Sequence, residues 1–421
     1  MTAPDTHRTI DAIWRIESPR LIAGLARMVR DVGLAEDLAQ DALVIALEKW
    51  PELGVPDNPG AWLMATAKNR AVDMIRRSKT LERKHEEIGR DIEMRQDTDV
   101  PEIDAVIDEQ IEDDLLRLVF TTCHPVLSRE ARIALTLRML GGLTTPEIAR
   151  AFLKSEATIA QRIVRAKKTL SEANVPFEVP GADEYDDRLS SVLEVIYLVF
   201  NEGYAATAGG DWMRPALCED AMRLGRVLAE LTPKQAEVHA LVALMEIQAS
   251  RFGARTGPGG EPILLLDQDR GRWDQLLVRR GLAALERAEE LGGAAGPYTL
   301  QAAIAACHAR AGTADETDWV RISALYAALA GLIPSPVVEL NRAVAVAMAF
   351  GPAAGLEIVD QLTKAPALKN YHLLPSVRGD LLAKLGRADE ARDEFERAAS
   401  MTKNERERKL LAERAAECAS G

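Results

Sequence analysis

A chain of 421 residues, 47% of them hydrophobic, carries apolar surface enough for more than one core, and length alone allows roughly two to three domains. Aromatics make up only 5% while alanine and leucine abound, which favours helices over sheets. A formal net charge of −13 argues against nucleic-acid binding only if the charge is evenly spread, and it is not. From Glu86 to Asp114 the net is −11; from Thr66 to Thr80 and again from Lys154 to Lys168 it is +4. Two basic stretches flank an acidic strap, and local charge governs contact with a polyanion. Cys123, Cys218, Cys307 and Cys418 stand singly, and Cys123-His124 alone is too few ligands for a metal. No metal and no cofactor are expected. A secretory leader and a membrane-length apolar run are not read in the sequence, which points to a cytoplasmic protein.

In chain order, residues 1–18 read as a lead-in. Leu21, Ile22, Leu25, Met28 and Val29 then repeat at helical spacing up to Gly33, taken as the stop. Ala35–Trp50 is the next helix, with Leu38, Ala42, Ile45 and Ala46 on one face and Asp37, Gln40, Asp41, Val44 and Glu48 on another. The loop Pro51–Pro59 ends where Asn58 caps a helix with Pro59 at its first position. That helix, to about Ser78, sets Leu63, Ala67, Ala71 and Met74 against Trp62, Thr66, Asn69, Arg70, Asp73, Arg76 and Arg77. An aromatic among amides and arginines suits a surface that stacks on bases and neutralises phosphates.

The acidic strap follows, with packing helices from Leu115 and a start capped by Ser128. In TTPEIARAFLKSEATIAQRIVRAKKTL, Thr144 and Glu147 are spaced as a capping box and Ser155 caps a second helix. Ile159, Ile163, Ala166 and Leu170 form its apolar stripe. Ala157, Thr158, Gln161, Arg165 and Lys168 lie opposite, with Arg162 on the flank. This is a helix-turn-helix with a polar, cationic reading face.

AEDLAQDALVIALEKW followed by NPGAWLMATAKNRAVDMIRR resembles region 2 of the extracytoplasmic-function (ECF) sigma factors of bacteria, and the helix-turn-helix resembles their region 4. The resemblance covers about residues 10–175. It implies that Asp37, Gln40, Asp41, Val44 and Glu48 dock on core RNA polymerase. It implies that Trp62, Thr66, Asn69, Arg70, Asp73, Arg76 and Arg77 open and read the minus-ten element. It further implies that Ser155, Ala157, Thr158, Gln161, Arg162, Arg165 and Lys168 enter the major groove at the minus-thirty-five element. Family members often carry Glu where Asp41 stands, so the charge is kept.

After VPFEVPGADEYDD, a Pro/Gly/acid boundary read as a linker over Val175–Asp187, the chain continues in eleven further helical stretches. A long glycine-bearing loop, Gly253–Asp274, is of a length that is often functional or mobile. LGRADEARDEFERAA resembles the second helix of a tetratricopeptide repeat, and Gly351 and Gly386 stand one repeat apart. His239, His308 and His372 are spread over helices and read as structural. No phosphate loop or catalytic constellation is found, so the chain is not read as an enzyme.

The expected fold is all-α: region 2 over 10–80, an acidic linker over 81–112, region 4 over 113–178, and a C-terminal tetratricopeptide-like solenoid over 188–421. The expected function is that of a sigma factor that brings core polymerase to promoter DNA, regulated in cis by the solenoid, whose concave face takes a protein or peptide. The alternative is a helix-turn-helix regulator with a repeat-protein sensor and no polymerase role.

Overall fold

The structure, a computed structural model, describes residues 3–86, 107–152, 154–205, 213–258, 261–402 and 404–420. Of residues 3–5, 8, 75–86, 107–112 and 420 the backbone alone is described. The elements of the described residues are α-helices and short 3₁₀ turns, with an isolated bridge between Thr256 and Pro262. They fall into two compact units, 1–195 and 196–421.

The first unit opens with α1 (Ala3–Val29), α2 (Val32–Leu53) and α3 (Pro59–Glu86). The lead-in is therefore helical: Ile10 is fully buried, and Pro19 is carried within α1. Gly33 is not the stop. The break falls at Arg30, with φ of 56°, and the Asp31 carboxylate caps α2 by accepting from the Leu34 N–H at 2.8 Å. Leu21, Ile22 and Leu25 of α1, Leu38, Ala42 and Trp50 of α2, and Leu63 and Ala67 of α3 are buried, as the helical spacing requires. Most of the acidic strap, 87–106, lies outside the described residues.

Next come α4 (Ile107–Thr122), α5 (Arg129–Met139), α6 (Thr145–Ala151) and α7 (Glu156–Glu172). Helix α4 packs against α1, so the two halves of the unit share one body. The first half of α8 (Ala182–Tyr204) belongs to this unit too, and it starts within the stretch read as a linker. Tyr185 lies against Phe120 with ring centres 5.4 Å apart. Arg188 donates to the Phe120 carbonyl at 3.1 Å and Ser191 to the Cys123 carbonyl at 3.0 Å, satisfying two of the free carbonyls at the end of α4.

The second unit holds α9 (Pro215–Leu231), α10 (Ala236–Ala249), α11 (Gln275–Glu290), α12 (Pro297–Arg310), α13 (Trp319–Leu332), α14 (Pro336–Phe350), α15 (Pro352–Leu362), α16 (Leu373–Lys384), α17 (Ala388–Met401) and α18 (Glu405–Ser420). Consecutive helices pack as hairpins. Gly351 and Gly386 turn α14 into α15 and α16 into α17 with φ of 100° and 74°, values that strain any residue with a Cβ. Leu340, Val359, Leu382, Phe395 and Leu411 form one apolar core along α14–α18. Ala243, Leu285 and Ala302 centre another on α10–α12. The long loop carries short 3₁₀ turns and its own anchor, in which Ala254 and Trp273 pack with Val278.

The Tyr185 contact supports the helix-turn-helix half from below. Tyr185→Ala should cost about 1 kcal/mol beyond its lost area and lower the first thermal transition of the full chain. Asp186→Ala, at an exposed neighbour, should leave that transition unmoved.

Candidate functional site

The helix-turn-helix forms as its caps dictate. The Ser128 hydroxyl accepts from the Ala131 N–H, Thr144 and Glu147 close the reciprocal box, and the Ser155 hydroxyl accepts from the Thr158 N–H at 3.1 Å. Ile159, Ile163, Ala166 and Leu170 are buried. Ser155, Ala157, Thr158, Gln161, Arg165 and Lys168 are exposed and Arg162 is half-buried. Lys168 leans on Glu172 at 3.5 Å, an exposed pair of little weight. Val164 is 63% exposed on the same face. It falls off the apolar stripe, which is the signal in the sequence for its exposure.

Asn58 caps α3 by accepting from the Ala61 N–H at 3.0 Å. Trp62 is half-buried, edge-on to Trp50 with ring centres 5.3 Å apart, so the core holds one side of the indole and the other stays open. The Thr66 hydroxyl donates to the Trp62 carbonyl at 2.8 Å. Asn69, Arg70 and Asp73 are exposed. Arg76 and Arg77 continue the helix, and their side chains lie outside the described residues.

On α2, Asp37, Asp41, Val44 and Glu48 are exposed and Gln40 is half-buried. The two aspartates are engaged with the two basic helices. Asp41 pairs with Arg70 of α3 at 2.5 Å, and Asp37 pairs with Lys167 of α7 at 3.0 Å. Between them sits a residue the sequence reading did not single out. Glu36 is 2% exposed, and its carboxylate takes Arg138 at 2.7 Å, Lys167 and Gln40. The signal was available: Glu36 adjoins the apolar run Ala35, Leu38, Ala39, and an acid there must be paired when buried. Lys167, one of the bases of the stretch 154–168 but not on its reading face, turns inward to α2.

The same contact recurs at its edges. Arg15 of α1 pairs with the capping-box acid Glu147 at 2.5 Å, and Arg27 of α1 reaches the buried Asp114 of α4 at 3.2 Å. Burial would raise the Glu147 carboxyl, but bonds from the Thr144 N–H and hydroxyl and the charge of Arg15 bring it below the ordinary range. At Asp114 burial wins and the carboxyl rises despite Arg27 and Arg117. Close approach needs small residues: a Cβ on Gly33 would sit 3.3 Å from the Lys167 stem, and one on Gly142 would sit 3.2 Å from the Arg15 backbone. A cleft of about 550 Å³, with Arg30, Val32, Lys167 and Phe177 on its walls, lies along this contact.

Against this geometry the comparisons are specific. The Sigma-70 region 2 model matches residues 13–80, the Sigma-70, region 4 model matches 117–170, and a family of unknown function, DUF6596, matches 188–289. Two sigma-70 regions in this order define a transcription initiation factor of the sigma-70 class. Among relatives, the ECF RNA polymerase sigma factor SigK of Mycobacterium sp. (strain KMS) is 31% identical over 156 residues, which is 36% of this chain and 76% of that protein. "Probable ECF RNA polymerase sigma factor SigI" of Mycobacterium tuberculosis (strain H37Rv) is 28% identical over 178 residues, 42% of this chain and 59% of that protein. The "Uncharacterized protein R00370" of Rhizobium meliloti (strain 1021) is 43% identical over 387 residues, 92% of this chain and 90% of that one. The chain belongs to the ECF RNA polymerase sigma factors. Its function is that of a sigma factor, which associates with core RNA polymerase and directs promoter-specific initiation. The helix-turn-helix regulator without a polymerase role is not favoured.

Glu36→Gln leaves Arg138 and Lys167 half-buried without their carboxylate, and breaking a buried pair from one side costs about 3–5 kcal/mol. The expected result is a loss near the low end of that range in urea unfolding of the first unit. Glu147 gives a pH signature. Because its folded pKa is lowered, its contribution is full above the ordinary value of 4.5 and is lost as pH falls through the folded value. Acid melts should show that loss in the wild type and not in Glu147→Gln.

Proposed function

We propose that the exposed face of α2, with Asp37, Gln40, Asp41, Val44 and Glu48, is the polymerase-docking surface. Trp62, Thr66, Asn69, Arg70, Asp73, Arg76 and Arg77 of α3 act at the melted minus-ten element. Ser155, Ala157, Thr158, Gln161, Arg162, Arg165 and Lys168 act at the minus-thirty-five element. The protein works by association in the cytoplasm, and bond-making belongs to polymerase. No helix among the described residues is long and apolar enough to cross a membrane, in keeping with that location.

The observation that supports this reading most is the pairing of Asp37 with Lys167 and of Asp41 with Arg70. The docking acids hold cations from both DNA-reading helices. A basic polymerase surface competes for the acids and frees Arg70 for phosphate, while Lys167 stays on the buried Glu36. Docking and DNA binding are then coupled, and by linkage each strengthens the other. Exposed pairs contribute only about 0.2–1 kcal/mol each, weak enough to be exchanged.

Residues 196–421 act in cis on the sigma half, held near it at high effective concentration by the continuous chain. The preferred sign is that this unit is needed for activity, with a protein or peptide on its concave face as the input. The functional boundaries read from sequence, region 2 over 10–80, a linker over 81–112, region 4 over 113–178 and a regulatory unit over 188–421, are kept with one change: the compact part of the regulatory unit starts at 196, since 188–195 pack on α4.

Reversal of Asp37 and Asp41 to Lys should weaken retention on core polymerase while helicity stays intact; undiminished retention at moderate salt refutes the docking face. Arg165→Ala should weaken binding to upstream-element duplex and reduce the salt slope by about one, and Asn69→Ala should reduce promoter opening instead. For cis regulation, run-off transcription with core polymerase compares the full chain with residues 1–195, a cut that spares the Tyr185–Phe120 contact. Equal initiation by both would leave the second unit without a role in cis.

A further inference from the structure

The loop between α10 and α11 carries a second constellation, unrelated to the sigma surfaces. It brings Arg251, Arg255, Gln268, Arg270 and Trp273 to the ends of α8 and α12, where Tyr204 and His308 stand. Each arginine is placed by an aromatic ring or a helix end. The Arg255 guanidinium lies 3.7 Å from the centre of the Tyr204 ring, and Arg251 lies 5.8 Å from that ring and 5.7 Å from Trp273. Arg270 lies 5.4 Å from Trp273 and donates to the His308 and Ala311 carbonyls at 2.7 Å and to Thr317. A cation at a helix C-terminus is favourable, which explains the Nη atoms of Arg270.

It does not explain what is left over. Among the described residues, half of the buried side-chain atoms without a hydrogen-bond partner gather here: Tyr204 Oη, Arg251 Nε, Gln268 Oε1, Arg270 Nε, Trp273 Nε1 and His308 Nδ1. Gln268, Arg270, Trp273 and His308 are each more than nine-tenths buried. An orphaned polar atom in a packed interior costs roughly 1–3 kcal/mol, so six in one place call for an occupant. Four of the six are donors, and two of those are on guanidinium groups. The acids on the neighbouring turns bond to backbone N–H groups, Asp269 to Gly271, Asp274 to Leu276 and Leu277, Glu316 to Gly312 and Thr313 and Asp318 to Arg321, and the charge of Glu316 acts on Arg270 without forming an ion pair. Arg251 and Arg270 make no ion pair among the described residues.

We propose that this cluster is a binding site for a small oxyanion, the carboxylate or phosphate group of a small molecule, held by the free donors of Tyr204, Arg251, Arg270 and Trp273. Guanidinium Nε–H, indole N–H and phenol O–H groups are the donors such a group takes. Tyr204, Arg251 and Phe252 are half-buried while the Tyr204 Oη and Arg251 Nε atoms are covered, so a ligand enters at that edge as these side chains move aside. His308 adds polarity and not charge, since burial together with Arg251 and Arg270 pushes its imidazole down to about 4. The site gives the second unit a chemical input separate from any protein on its helical faces.

The test is calorimetric titration of the full chain near neutral pH with inorganic phosphate and, in parallel, succinate, each against sodium chloride of equal ionic strength. Saturable binding of at least one probe, one per chain and tighter than about 1 mM, is expected. Tyr204→Phe keeps the ring under Arg255 and removes only the free hydroxyl. Arg251→Gln removes a donor and a charge. Each should weaken binding, the arginine variant by about tenfold or more, while Arg287→Gln on an exposed turn of α11 should not. Absence of saturable binding of both probes would overturn the proposal and assign the orphaned donors to buried water. Binding that neither Tyr204→Phe nor Arg251→Gln weakens, with both variants folded by circular dichroism, would overturn it as well.

Discussion

A single buried carboxylate organises the sigma half. Glu36 sits on the inner side of α2 at 2% exposure, where an unpaired charge is not tolerated. Its partners come from the other half: Arg138 from α5 and Lys167 from α7. Satisfying one acid therefore fixes the helix-turn-helix against the N-terminal helices. The other features of the contact follow that constraint. Glycines stand at 33 and 142 where a Cβ would crowd, and Arg15 reaches the capping box of α6 from α1.

This arrangement gives the surface charges two uses. Lys167 satisfies Glu36 and touches Asp37, while Arg70 touches Asp41. The buried pair is strong because neither member can return to water without opening the contact. The exposed Arg70–Asp41 pair is weak and screened, so a competing charged surface exchanges it readily.

The second unit solves a different problem. Its helices are too short to be stable alone, and stacking them as hairpins buries a continuous apolar seam. The loop between α10 and α11 interrupts that pattern. It is held by a small core at Trp273 and by arginines on rings and helix ends, and this polar investment inside an otherwise apolar unit sets it apart from an ordinary connection.

Much of this was legible in the sequence because it is local. Caps act within one turn, so Thr144 with Glu147, Ser155, Ser128 and Asn58 could be assigned from spacing, and all four form. Apolar periodicity placed the stripe of α7 and most helices of the second unit to within a few residues. The sigma regions were legible because two motifs stood in order, each with its own charge pattern. What sequence could not supply was any relation between residues distant in the chain. Lys167 looked like one base among five, and only the fold turns it from solvent to Glu36, 131 positions away. Gly33 looked like a helix stop, yet Arg30 takes the left-handed turn and Gly33 makes room for a lysine stem. His308 looked like a solitary histidine until the fold brought Arg251, Arg270 and Trp319 around it. Propensity and capping act along the chain and can be read there. Charge pairing and desolvation depend on which surfaces meet, and the tertiary structure alone decides that.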